Sequence, residues 1–204
     1  MAGFCSLDEL LEEELKDLYD AEKQLTKALP KLVKKSTSPE LKQAFEAHLQ
    51  ETAGHIERLE QAFEELGLPA RGKKCVGMQN LLKEGDEMIG EAESDSVRDA
   101  VIIASAQKVE HYEISGYGTV RTWASVLGKE TLVSLFDETA EEEKAADEKL
   151  TAIAASFVNE QAAEERDSDS DEEDETAAVP RGRRGVRAPA RGSRHQAADR
   201  KRRR

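Results

Sequence analysis

The chain has 204 residues, of which 36% are charged and 4% are aromatic. This length allows one or two domains, and so much charge with so few aromatic residues favours long charged helices over a β-rich domain. No run approaches the ~18 consecutive apolar residues of a membrane span, and the N-terminus has no basic segment before an apolar run. The sequence therefore predicts a cytoplasmic protein with no membrane segment.

Charge divides the chain into three parts. Residues 1–159 carry 32 acidic and 18 basic side chains, residues 160–175 carry ten acidic and one basic, and residues 176–204 carry eleven basic and one acidic. The last two parts hold only Val179 and Val186 as large apolar side chains, and burying these cannot offset the loss of chain entropy on folding. We therefore expect a folded domain over residues 1–160 and a disordered, acidic-then-basic tail over residues 161–204.

Two long helices are predicted in the first third of the chain. Ser6 and Glu9 have the spacing of a capping box, and leucines recur after them at helical intervals. Pro30 lies inside this run and is expected to bend the helix or to shift its end. The second helix is predicted to begin after Ser38 as the N-cap, with Pro39 at its first position.

Two more long helices follow. The third is predicted to begin near Ser96, where Ser96 and Asp99 have the spacing of another N-terminal box, and to run to Gly128. The fourth is predicted over residues 130–159. Four helices of similar length are typical of a bundle.

The connection between the second and third helices distinguishes this bundle from simpler ones. It spans residues 67–95, which is too long for a tight hairpin, and it contains an amphipathic segment of its own over residues 78–89. A single long connection at this point is the arrangement of ferritin-like folds. The predicted fold is therefore an all-α, ferritin-like four-helix bundle with a helix-containing connection between helices two and three.

Polar side chains interrupt the apolar stripe of each long helix near its middle. A buried charge is costly unless it is paired, so these positions need partners in the core. They are Glu22 in the first helix, His48, Glu51 and His55 in the second, Glu110 and Glu113 in the third, and Glu143 and Asp147 in the fourth.

Two metal ions would supply the missing positive charge. The usual ferritin-like plan takes one Glu from each of two helices and a Glu-x-x-His pair from each of the others. Here the pairs have a spacing of four residues, and one has Asp in place of His. Carboxylates with imidazole suit iron or manganese. The predicted metal ligands are Glu22, Glu51, His55, Glu110, Glu143 and Asp147.

The pattern leaves three further residues open. His48 is explained equally well as a ligand or as a core histidine with satisfied hydrogen bonds. Glu113 lies where its side chain could reach the core or turn out to solvent, and Glu142 could exchange roles with Glu143. His111 is one position off its stripe and is expected to be exposed or to support a ligand.

Five segments resemble the YciE/YciF-type ferritin-like stress proteins. They are DLYDAEKQLTKALPKL (17–32), HLQETAGHIERLEQ (48–61), KCVGM (74–78), AQKVEHYEISGYGT (106–119) and EEEKAADEKLT (141–151). The resemblance covers roughly residues 6–160. It implies a homodimeric bundle with a di-metal site, linked to the stress response, for which no reaction is well established.

The resemblance also bears on the ligands. It supports the five acidic members of the predicted set, whereas the ligand role of His55 rests on the stripe alone. The absence of the Glu-x-x-His spacing sets the chain apart from ferritins proper and argues against efficient ferroxidase activity.

The basic segment of the tail suggests a second activity. Residues 181–204 form an arginine-rich stretch without aromatic residues, and arginine can contact phosphate groups without reading sequence. The sequence leaves three roles open for this segment: it binds nucleic acid without sequence preference, it folds back onto the acidic parts of the same chain, or it binds partner proteins.

Two functional hypotheses follow from the sequence. The first is a di-iron or di-manganese carboxylate protein that handles metal or oxidants under stress, with weak oxidase or peroxidase activity left open. The second is a non-enzymatic helical stress protein whose basic tail binds nucleic acid or partner proteins.

Overall fold

The computed structural model describes residues 3–164. Within this range the chain forms five α-helices and no strand, which confirms the predicted all-α class. A π-helical turn, Ala154–Val158, follows the last helix, and helical structure continues to residue 164. The basic segment 181–204 and nearly all of the predicted tail lie outside the described residues. The helices are α1 Leu7–Lys35, α2 Pro39–Glu65, α3 Val76–Glu91, α4 Asp95–Val126 and α5 Glu130–Ile153.

The starts of α1 and α2 confirm the predicted caps. The Ser6 hydroxyl accepts a hydrogen bond from the Glu9 backbone N–H at 3.1 Å, and the Ser38 hydroxyl accepts one from an N–H in the first turn of α2. Pro39 occupies the first position of α2. Pro30 lies inside α1, and the helix continues past it to Lys35, so the proline does not end the helix.

The start of α4 differs from the prediction. Its N-cap is Ser94, two residues before Ser96, and Asp99 does not close an N-terminal box. The Asp99 carboxylate instead accepts hydrogen bonds from the Thr37 backbone N–H and hydroxyl and from the Ser38 backbone N–H, at 2.6–2.8 Å. These three donors come from the loop between α1 and α2, so Asp99 joins that loop to α4.

Four long helices surround one core, as predicted. Helix α2 packs against α1 and α5, α4 packs against α5 and α1, and the shorter α3 lies against α4 and α1. The helix α3 belongs to the connection between α2 and α4, where the sequence placed an amphipathic segment. In the part of the chain that the structure describes, no helix has the length and apolar character needed to cross a bilayer.

Two apolar clusters fill the bundle and leave a polar layer between them. One cluster contains Leu18, Leu59, Tyr117 and Phe136, and the other contains Leu25, Phe45, Ile103 and Leu150. On α2, α4 and α5, the residues of the polar layer lie in sequence between the members of one cluster and those of the other, and on α1 Glu22 lies between Leu18 and Leu25. The fold therefore places any chemistry of this layer inside an apolar environment.

Candidate metal centre

Six ionisable side chains from all four long helices meet in the polar layer. Each is at most 4% exposed to solvent. The two histidines lie seven residues apart on α2, and two of the glutamates lie three residues apart on α4, so helical spacing directs each pair to one face. The six are Glu22, His48, His55, Glu110, Glu113 and Glu143.

The geometry divides five of these side chains into two sets that share Glu143. In the first set, His55 Nδ1 lies 3.3 Å from Glu22 Oε1 and 3.0 Å from Glu143 Oε1. In the second, His48 Nε2 lies 3.4 Å from Glu110 Oε2 and 3.7 Å from Glu143 Oε2. Within each set the candidate ligand atoms lie within 4.8 Å of one another. Each oxygen of Glu143 faces a different histidine.

Each histidine is held from outside the layer by a second carboxylate. His55 Nε2 lies 3.0 Å from Glu142 Oε2, and His48 Nδ1 lies 3.2 Å from Glu51 Oε2. Both outer carboxylates are partly exposed. When the imidazole is neutral, as a metal ligand must be, an outer acceptor favours the tautomer whose N–H points outward, which leaves the lone pair of the inner nitrogen available to a cation among the buried carboxylates.

The partner of His55 is itself fixed in position. Arg58 donates two hydrogen bonds to the Glu142 carboxylate, at 2.6 Å from Nη1 and 2.9 Å from Nη2. Arg58 also donates to Glu138. This paired contact restrains both the position and the orientation of the carboxylate, so the ring of His55 is oriented through a chain of charged groups that ends at the surface.

The inner atoms of the cluster have no hydrogen-bond partners among the described residues. This holds for one atom each of Glu22, Glu110 and the two histidines, and for both carboxylate oxygens of Glu113 and Glu143. The short distances within each set therefore bring these atoms together without hydrogen-bond geometry. Since buried polar atoms are nearly always satisfied, eight such atoms in one layer are an arrangement that cations would complete. The donor set thus fits bound metal.

Burial sets the electrostatics of the glutamates. It raises the pKa of Glu22, Glu110 and Glu113 above the ordinary value, and neighbouring carboxylates raise the pKa of Glu110 and Glu113 further. Burial also acts to raise the pKa of Glu143, but the close approach of the His55 ring outweighs burial and lowers that pKa.

The buried carboxylates also change the pKa of His55. Burial lowers the pKa of His55, but the nearby carboxylates of Glu143 and Glu22 outweigh burial and raise that pKa to about 10. Without metal, the cluster therefore retains protons that a bound cation would displace.

The structure brings four of the six predicted ligands into the two sets, and two lie outside them. The four are Glu22, His55, Glu110 and Glu143. The side chain of Glu51 is 44% exposed and contacts the outer side of His48. Asp147 is 20% exposed, accepts a hydrogen bond from Gln107 at 3.0 Å and lies 3.5 Å from His111.

The residues that the sequence left open now have positions. His48 and Glu113 lie inside the cluster, Glu142 lies outside it behind His55, and the His111 side chain is 69% exposed. For His48 and Glu113, helical spacing in the sequence could have indicated the buried position. His48 is two helical turns before His55, and Glu113 is one turn after Glu110, so each shares a face with a residue already placed in the core.

Comparisons with known proteins agree with this architecture. The family described as a domain of unknown function (DUF892) matches residues 6–163. Protein YciF of Escherichia coli (strain K12) is 52% identical over 149 residues, which cover 72% of this chain and 90% of YciF.

Solved structures show the same likeness. The crystal structure of the E. coli stress protein YciF matches with a TM-score of 0.73 and 48% identity, covering 76% of this chain and 99% of that one. YcfI from Rhodopseudomonas palustris matches with a TM-score of 0.71 and 45% identity, covering 72% and 94%. The resemblance found in the sequence is thereby confirmed. The chain belongs to the DUF892 family and is a YciF-like, ferritin-like helical protein.

Proposed function

We propose that this protein binds two iron or manganese ions in the polar layer of its bundle and acts in metal or oxidant handling under stress. The observation that carries the proposal is the convergence of eight buried, unpartnered ligand atoms from four helices. That the E. coli relative is named a stress protein supports the physiological setting.

The charges of the cluster support two ions. Four buried carboxylates carry four negative charges when ionised, and two divalent cations would neutralise them. Glu22 with His55 would hold one ion, Glu110 with His48 would hold the other, and Glu143 would serve both because its oxygens face different histidines. Glu113 belongs to neither set, but both its oxygens are buried without a partner and the charges of Glu22, Glu143 and Glu110 act on it, so a modest movement of its side chain would bring it into the metal shell.

Each surrounding residue has a task in this proposal. Glu51 and Glu142 orient the two histidines, and the Tyr117 hydroxyl donates a hydrogen bond to Glu22 and fixes one carboxylate oxygen. The apolar clusters on both sides exclude bulk water. Bound iron or manganese would supply redox chemistry toward dioxygen or peroxide, and oxidase or peroxidase activity is the class of reaction to assay.

The proposal predicts that replacing a ligand of one set and replacing the shared ligand Glu143 change the number of bound metal ions differently. Anaerobic titration of the metal-free full chain with Fe²⁺ or Mn²⁺, followed by calorimetry, should give about two sites per chain. His55→Ala should remove about one site, and Glu143→Ala should weaken both. The exposed Glu148 on the same helix as Glu143 provides the control, and Glu148→Ala should bind as the wild type does. Equal binding by all four proteins would refute the site.

The basic segment supports a second, separate activity. Eleven basic side chains fall within residues 176–204, and we propose that this segment binds nucleic acid without sequence preference. The full chain should bind duplex DNA with an affinity that falls steeply with salt, and a chain ending at residue 164 should not. Salt-independent binding, or equal binding by the shortened chain, would contradict this role.

The homodimer and the cytoplasmic location stay predictions, and sedimentation velocity would test the former.

A further inference from the structure

A groove of about 430 Å³ opens between α1, α3 and α4. Its volume is in the range of pockets that hold small molecules. Most of its lining is apolar and comes from all three helices, including Leu25, Leu29, Leu82, Ile89, Ala106 and Val109. Such a surface favours an occupant with a substantial hydrocarbon part.

Exposed lysines give the groove a charge opposite to that of the domain around it. Lys27 and Lys31 lie one turn apart on α1, and Lys83 lies across from them on α3. Within residues 3–164, neither Lys27 nor Lys31 has an ion-pair partner. The one aspartate in the lining, Asp86, is bound by Lys35 at 2.5 Å, so its charge is offset. Lys83 lies 3.4 Å from the Glu87 carboxylate and is therefore already paired. The groove combines an apolar wall with two cations, Lys27 and Lys31, that are free to bind an anion.

The inner wall of the groove reaches the candidate metal centre. Glu110 lines the groove and also belongs to the His48 set. The Ser105 hydroxyl is buried in the same wall without a hydrogen-bond partner among the described residues. Gly85 allows α3 to approach here, since a Cβ at that position would lie 3.0 Å from Ser105 Cβ. The helices thus form a closed wall at the inner end and an open, basic edge.

We propose that this groove binds an amphipathic anion, namely a long-chain carboxylate of the fatty-acid type. Its hydrocarbon chain lies along the apolar wall, and its carboxylate binds Lys27 and Lys31. The chain's own acidic block, residues 160–175, has the right charge but offers no large apolar side chain for the wall. Binding does not depend on the proposed metal centre, although contact with Glu110 would bring such a ligand to its edge.

The test uses metal-free full-length protein and isothermal titration with dodecanoate, so that failure here is separate from failure of the metal site. We expect saturable binding of one dodecanoate per chain and none of dodecyltrimethylammonium, which has the same tail and the opposite charge. Lys27→Glu/Lys31→Glu should weaken binding at least about tenfold, equivalent to ~1.4 kcal/mol. The matched control Lys23→Glu/Lys34→Glu changes the same net charge on the same helix outside the groove and should bind normally.

A second variant tests the apolar wall. Ala28 lines the groove and is partly buried, so Ala28→Trp should fill the space and abolish dodecanoate binding while the helical circular dichroism spectrum stays unchanged. If this variant fails to fold, the two lysine variants still decide. No saturable binding, equal binding of the cationic probe, or equal losses in both lysine variants would overturn the proposal. The proposal would also be wrong if the wild type did not bind dodecanoate and Ala28→Trp changed the oligomeric state. In that case the occupant of the groove would be a second copy of the chain.

Discussion

Replacing Glu113 with glutamine should stabilise the metal-free protein and destabilise the metal-loaded one. Both Glu113 oxygens are buried without a partner, and the charges on Glu22, Glu143 and Glu110 add to the effect of burial in raising its pKa. In the metal-free protein the group must therefore take up a proton to stay buried. Glutamine has nearly the same shape and needs no proton, but it is a poorer ligand for a hard cation.

The magnitude follows from the cost of protonation. Holding a proton above the ordinary pKa costs about 1.4 kcal/mol per pH unit. At about pH 7.5, roughly three units above the ordinary value of 4.5, the upper limit is about 4 kcal/mol. A gain of ~1–4 kcal/mol would raise the melting temperature by about 2–4 °C for each kcal/mol in a domain of this size.

The assay is scanning calorimetry of the full chain, once with chelator and once with excess Mn²⁺. The wild type should gain stability from the metal, by ~2.7 kcal/mol when free metal is about 100 times the dissociation constant, and Glu113→Gln should lose much of this gain. Glu148→Gln makes the same chemical change at an exposed position and should shift neither curve. If Glu113→Gln moved both curves in the same direction, the assignment of Glu113 to the metal shell would be wrong.

Three further predictions follow from the same contacts. Glu142→Gln should weaken metal binding about 10–100-fold, because the Glu142 carboxylate orients His55. Glu138→Gln should leave metal binding unchanged, because Glu138 does not contact a histidine in the part of the chain that the structure describes. Calorimetric titration of both variants measures this, and equal effects would contradict it. Gly116→Ala should destabilise the protein by ~1–3 kcal/mol, since its Cβ would lie 2.7 Å from Leu18 Cδ2, whereas Gly118→Ala meets open space and should be neutral or stabilising in urea unfolding. The metal-free protein should lose stability as the pH rises from about 5 to about 9, because buried carboxyls and a histidine with raised pKa hold protons that the unfolded chain releases. Melting curves with saturating metal should lack this decline, and a decline of equal size there would show that other groups cause it.

The fold was predictable because its signals are local and repeated. The apolar stripes gave the four long helices, and hydroxyl side chains at Ser6 and Ser38 gave two of their starts. The start of α4 was not predictable in the same way. Asp99 has the sequence spacing of a helix cap, but three donors from the loop between α1 and α2 lie close to it only after the bundle has formed.

The candidate site was predictable to the level of the helix face and no further. Glu51 and His48 lie on one stripe, three residues apart, and the packing of α4 and α5 decides that the histidine points inward while the carboxylate supports it from outside. In the same way, Gln107 and His111 on α4 provide Asp147 with partners nearer the surface. Such choices depend on contacts between helices, which periodicity in one helix does not contain.

The measurement that tests the central claim most directly is the metal content of the full chain, by mass spectrometry, after purification without chelator and anaerobic loading with Fe²⁺ or Mn²⁺. The triple variant Glu22→Ala/Glu110→Ala/Glu143→Ala and the control Glu148→Ala are measured beside it. We predict about two ions per chain in the wild type and in the control, and close to none in the triple variant. Absence of bound iron or manganese in the wild type, or equal content in the triple variant, would contradict the di-metal centre.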